Sequence, residues 1–274
     1  MIWLGSLIAS ALLASVWAKG GEWFWAKHDA QVANEAEDQV DREGPAFSAS
    51  VRLDTQYPEA TIFNSPFSAE EKKKILGHPD DLASFSKVHH GRAVYYSDVD
   101  HPLMKVKSPG YSEEWLIDLI SDRKAALVIN EIQMKGLRCA PAKATTVIIT
   151  KEEGGGSYEG MLFDPGRSID TPLITGDEEK HYAEPFFKYK KIDLGNGATP
   201  GGLRVQVTSG FEDCTWKAFE ATYVDSEGTH TQDITNKGKG FTVHGFPEQP
   251  KQIFQHSING IVECTPLGQG RYKC

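Results

Sequence analysis

No familiar catalytic signature is written into this chain of 274 residues. Gly-x-Ser-x-Gly, which would seat a hydrolase nucleophile on a sharp strand-to-helix turn, does not occur. His-Glu-x-x-His, which would put two zinc ligands on one helical face, is also absent, and no two cysteines lie two to four residues apart as in structural zinc sites. Gly154-Gly155-Gly156-Ser157 comes nearest to a phosphate cradle, but no Lys-Ser or Lys-Thr follows it and no helical pattern opens after it, so it reads as a flexible hairpin loop. None of the six asparagines stands in a glycosylation sequon, because Asn64 is followed by Ser65-Pro66. Basic residues are outnumbered, 29 against 38 acidic ones, for a net charge of -9. That balance excludes non-specific attraction to nucleic acid or anionic lipid and leaves a self-repelling protein.

Long apolar runs are missing too, except at the start. Met1 to Ala18 holds no charge and is nearly continuously apolar from Trp3 to Trp17, ending on Val16-Trp17-Ala18. The small residues at Val16 and Ala18 form a cleavage site, and the run is shorter than the ~20 residues that a bilayer span needs. A secretory signal peptide over 1–18 is expected, although the basic residue that such leaders carry near their start is absent. The mature protein would begin near Lys19, with no membrane anchor after cleavage, and would be secreted to the extracellular space.

Four cysteines, Cys139, Cys214, Cys264 and Cys274, are an even number in an oxidising setting and read as two disulfides. Three connectivities are possible. Cys264 with Cys274 and Cys139 with Cys214 is the favoured one, since closing a short loop around Pro266 and Gly268 orders little chain.

Residues 19–44 open on Trp23, Phe24 and Trp25 and continue with helix formers but few large apolar residues, which predicts a mobile N-terminal segment. Ser68-Ala69-Glu70-Glu71 fits a capping box ahead of a short helix ended by Gly77, and Pro79-Asp80-Asp81 starts another turn through Phe85. Ser112-Glu113-Glu114 repeats a capped start before Trp115, Leu116, Leu119 and Ile120, whose spacing predicts a helix. Residues 125–134 suit either a helix or a buried strand. After Pro141, β-branched and aromatic runs bounded by Gly, Pro, Asp and Asn predict strands at 145–150, 160–163, 186–194, 203–209, 216–224, 229–234, 241–246, 252–258 and 261–264. Core candidates there are Val205, Val207, Phe219, Tyr223, Phe241, Val243, Ile253, Phe254 and Ile261, although Ile253 and Phe254 cannot both face inward on a one-sided strand. The expected fold class is α+β: a helix-containing mixed part over 45–140 and a β-rich, antiparallel sandwich- or barrel-like part over 141–274, as two units or as one domain.

The densest polar cluster is His89-His90-Gly91-Arg92 with Asp98, Asp100 and His101 beyond it, residue types that supply acid-base chemistry or hold a metal. A surface loop with ordinary histidines is the plainer reading, and no metal or other cofactor is expected. Glu178 to Glu184, with His181 between acids, reads as a solvated connection.

Phe254-Gln255-His256-Ser257 followed by Val262-Glu263-Cys264-Thr265 resembles the end of the small secreted fungal guanyl-specific ribonucleases. The resemblance covers about a dozen residues and implies that His256 acts as general acid. Those enzymes also need an upstream histidine, a glutamate and an arginine. His230, His244 and Glu248 are the residues at hand for this, but no arginine occurs between Arg204 and Arg271.

The functional expectation is a secreted effector or toxin-like interaction protein that binds an extracellular or host protein, without nucleic acid. The alternative is a secreted hydrolase, ribonuclease-like in one form, with dispersed residues drawn from His89, His90, Asp98, Asp100 and His256.

Overall fold

Strand pairing sets the architecture: eighteen strands and three short helices occur among the described residues. The computed structural model describes residues 44–55, 58–77, 82–96, 111–150, 160–165, 169–175, 180–198, 201–268 and 271–274. The expected leader over 1–18, the rest of the N-terminal segment to residue 43, Asp98, Asp100, His101, Gly154 to Ser157 and Glu178-Glu179 lie outside them. Residues 47–274 form one compact unit.

In chain order the first nine strands are β1 (Ser48–Leu53), β2 (Ala60–Phe63), β3 (Arg92–Tyr96), β4 (Tyr111–Ile120), β5 (Leu127–Lys135), β6 (Arg138–Pro141), β7 (Thr146–Thr150), β8 (Gly160–Asp164) and β9 (Ile169–Thr175). The rest are β10 (Ile192–Leu194), β11 (Gly201–Val207), β12 (Glu212–Trp216), β13 (Ala218–Asp225), β14 (Gly228–Ile234), β15 (Phe241–Val243), β16 (Gln252–Ser257), β17 (Gly260–Gly268) and β18 (Arg271–Lys273). Helices α1 (Ala69–Gly77) and α2 (Leu82–Val88) join β2 to β3, and the one-turn α3 (Phe186–Tyr189) precedes β10.

The largest sheet has eleven strands, ordered β18-β17-β16-β7-β2-β3-β4-β11-β8-β9, with β1 also paired to β4. A second sheet runs β10-β5-β13-β14 and a third β15-β12-β6. Pairing is antiparallel except between β16 and β7 and between β11 and β8. The α+β expectation is therefore corrected to a mostly β, multi-sheet fold: the front of the chain is built of strands as well, and two parallel pairs depart from the purely antiparallel scheme.

The helix expected from Ser112 is the largest single departure. Those residues form β4, with β11 along one edge and with β1 and β3 sharing the other. Because both faces of the strand are covered near its start, Ser112, Glu113, Glu114 and Trp115 are all buried and the period-two alternation is erased there. What reads as acids in a first helical turn is a pair of buried carboxylates. Farther along, the true alternation returns, with Trp115, Ile117 and Leu119 buried. The strand expected over 186–194 is split between α3 and β10, since Pro185 leads into one helical turn and Lys190 returns to extended backbone.

The capping box at Ser68 is present. Glu71 Oε2 accepts from the Ser68 backbone N–H at 2.6 Å, and Ser68 Oγ accepts from the Glu71 N–H at 3.3 Å. All nine core candidates of the C-terminal part are buried. Ile253 and Phe254 both face inward because each face of β16 is covered: Ile253 packs with Ile62, Val94 and Val147, while Phe254 packs with Phe63, Phe67 and Ile75 beneath the helices. A second core, of aromatic rings, links the three sheets. Phe241 stacks on Trp216 at 5.2 Å and meets Phe219 edge-on at 4.9 Å and Trp115 at 5.1 Å, and Phe163 lies 5.2 Å from Phe219.

Cys139 is bonded to Cys214 and Cys264 to Cys274. The first pair sits directly opposite on β6 and β12. This is the favoured pairing from the sequence.

Candidate functional site

Successive strand residues point to opposite faces, so the adjacent Glu113 and Glu114 of β4 send one carboxylate into each face of the largest sheet. Both are buried, and a buried carboxylate without donors is strongly destabilising, so each has to be met by cations or N–H groups.

Glu113, with a fully buried side chain, is met by Arg92 and His244. Its Oε2 accepts from Arg92 Nη2 at 2.8 Å, and its Oε1 accepts from Arg92 Nε at 3.3 Å, from His244 Nδ1 at 3.0 Å and from the His244 backbone N–H at 3.3 Å. A carboxylate only accepts, so the imidazole proton sits on Nδ1 and the second nitrogen, Nε2, is left to take or give a proton. Two glycines set these partners in place. A Cβ on Gly91, just before Arg92, would stand 2.6 Å from the Phe63 ring, and one on Gly245, just after His244, 2.5 Å from the Glu212 backbone.

Glu114 is met on the opposite face by Arg204 and Gln206 of the neighbouring β11. Arg204 Nε donates to Oε2 at 2.5 Å, its Nη2 also reaches Oε2, and Gln206 Nε2 donates to Oε1 at 2.8 Å. Burial pushes the Glu114 carboxyl above its ordinary value, against the pull of Arg204 and Gln206. Burial likewise drives the Tyr95 phenol well above the usual range, helped by Asp54 and Glu114 beside it. On this face Ser112 Oγ and Gln206 Oε1 are buried without a partner among the described residues.

The histidines singled out from the sequence are scattered. His89 Nδ1 lies 3.1 Å from Glu71 Oε1, and its ring packs at 4.2 Å on Phe85. His90 is exposed with φ +56°. His181 stacks on Tyr189 at 3.7 Å and faces Glu184, and His230 pairs with Asp225 at 3.2 Å. His256 has a buried Nδ1 without a partner among the described residues. It is two residues from Phe254, hence on the face beneath the helices, whereas Arg92 pairs in register with Ile62 on the opposite face. The fold therefore brings His244 of the ribonuclease-like set to an arginine and a glutamate, and leaves His256 and the exposed Glu248 elsewhere.

Arg92 and Glu113 were not identifiable as partners of His244 from the sequence, because the three lie far apart along the chain. The one available signal was an acidic pair directly followed by Trp115 and Leu116, which fits a buried strand as well as a helix start. Among the described residues one group of three metal-ligand types converges, Cys139, Glu212 and Cys214, but its two sulfurs are joined to each other. Comparison with protein families, curated proteins and solved structures finds no match to this chain.

Proposed function

We propose that this is a secreted protein that acts as an effector or toxin-like binder, docking a protein partner on the first half of β17. The observation that carries this reading is an open sheet edge. Strand β18 pairs with β17 only from Thr265 onward, so Gly260 to Cys264 present their outward N–H and C=O groups to no other strand among the described residues. Such an edge accepts an added strand, with main-chain bonds supplying affinity and alternate side chains supplying specificity. Apolar groups stand beside it: Ile258 at the hairpin tip is fully exposed and Val262 is 51 % exposed. Lys72 and Glu263, paired at 2.5 Å, supply a polar border. The Cys264–Cys274 bond ties down the strand beyond the edge, so little chain ordering is left for the binding step.

Export and two disulfides per molecule are part of the same reading, supported by the apolar leader and by the cysteine pairs. The test retains proteins from extracellular fluid on immobilised mature protein, comparing wild type with Ile258→Asp and Val262→Asp. A partner held by wild type and lost by both variants, with their circular dichroism unchanged, is the expected result. Equal retention by all three, or none by wild type, would overturn the docking edge.

A further inference from the structure

We propose that Arg92 and His244 form a binding site for a phosphate group, separate from the β17 edge. Glu113 bonds both side chains through a single oxygen, Oε1, so the guanidinium and the imidazole are held side by side. The carboxylate itself is fully buried, while His244 is 20 % and Arg92 34 % exposed. Solvent thus meets the outer parts of the two donors and not the anion that positions them.

Arg92 spends its Nε and one Nη2 hydrogen on Glu113, which leaves Nη1 and the second Nη2 hydrogen. His244 spends Nδ1, which leaves Nε2. Glu113 and Arg92 neutralise each other, so a proton on Nε2 gives the group one surplus positive charge, and the remaining N–H donors suit the several acceptor oxygens of a phosphate. Two further acids lie by Gly245: the two oxygens of Asp213 are engaged by the backbone N–H groups of Gly245 and Lys143, and the Glu212 carboxylate lies by the Cys139 and Cys214 sulfurs. The close backbone approaches at Gly91 and Gly245 fix both donors before any ligand arrives, which is what a binding site requires of its scaffold. A purely structural filling of this place would be served as well by apolar side chains of similar volume, since a buried ion pair seldom gains stability over them.

The experiment follows the His244 ring resonances of the full mature protein by NMR during titration with inorganic phosphate and, separately, with phenyl phosphate, at ionic strength held constant with chloride. Both probes should shift those resonances in a saturable way. Binding of inorganic phosphate alone assigns free phosphate as the ligand, and binding of both assigns a phosphomonoester. His244→Gln, which keeps the backbone bond to Glu113, should weaken binding about ten-fold or more. Should that variant not fold, the wild-type ring shifts decide alone. An unmoved His244 ring, or a folded variant with wild-type affinity, overturns the site.

Discussion

Glu113 and Glu114 are neighbours in sequence, chemically identical and equally buried, yet their surroundings differ. Glu113 takes four donated hydrogen bonds from two residues, and Glu114 takes its bonds from Arg204 and Gln206 in a place where burial still outweighs them. The consequence for stability has a definite sign. A carboxyl whose folded pKa lies above its unfolded value of 4.5 binds a proton more tightly when folded, so ionised Glu114 subtracts stability near neutral pH. That stability returns as pH falls through the raised folded pKa toward 4.5. Glu71, Glu184 and Asp225 act in the opposite sense. Each is held below its ordinary value: Glu71 by its bonds to Ser68, Glu184 by the Tyr189 hydroxyl, and Asp225, despite its burial, by the Glu227 N–H, His230 and Arg123. Their contributions are lost only at more acid pH, below the ordinary carboxylate values. Between neutral pH and 4.5, wild-type Tm should therefore rise relative to Glu114→Gln. Parallel Tm profiles for the two proteins would contradict the role given to burial at this residue.

At the level of elements, the two disulfides brace segments of very different length. Cys139–Cys214 spans 75 residues and Cys264–Cys274 spans 10. In the chain-entropy account the longer closure stabilises by about 4.5 kcal/mol and the shorter by about 2.7 kcal/mol. Cys139→Ala/Cys214→Ala should accordingly lower the urea midpoint more than Cys264→Ala/Cys274→Ala, and the reverse order would show that strain or residual unfolded structure dominates. That the four cysteines form two pairs was legible from their even number, whereas the choice among three connectivities rested only on the short loop between Cys264 and Cys274. Strands β11 and β14 were legible because turn residues flank them, and β11 also because Leu203, Val205 and Val207 alternate with polar residues, of which Gln206 is nonetheless buried against Glu114. The capping box at Ser68 was legible because it is local chemistry between residues three apart. What could not be read was β4: a central strand covered on both faces loses its period, and two acids beside Trp115 imitate a helix start. The contact of Arg92 with Glu113 and His244 was hidden for a related reason, since it depends on which strands become neighbours and not on spacing along the chain.

For the whole molecule, the order of strands in space interleaves the two stretches that composition separates near residue 140. β2 pairs with β7, β4 with β11, β5 with β13 and β6 with β12, so all three sheets draw on both stretches. The aromatic core does the same, with Trp115 from the first stretch against Phe241 from the second. The parallel pair of β7 with β16 and the pairing of β4 with β11 join residues distant in sequence, which places loop-closure cost early in folding and predicts slow folding relative to helical proteins. Without residues 45–140, the largest sheet loses β1 to β4 from its middle, so β7 and β11 lose the partners between them, and the second sheet loses β5 between β10 and β13. Phe241 would then lose its contact with Trp115, and unpaired strand edges would be left that favour aggregation. A purified fragment of residues 141–274 should show no cooperative urea transition and fast amide exchange throughout, whereas 44–274 should unfold in one transition. A cooperative transition in the shorter fragment would mean that the second stretch holds a core of its own, and that the interleaved pairings are an addition to it and not its foundation.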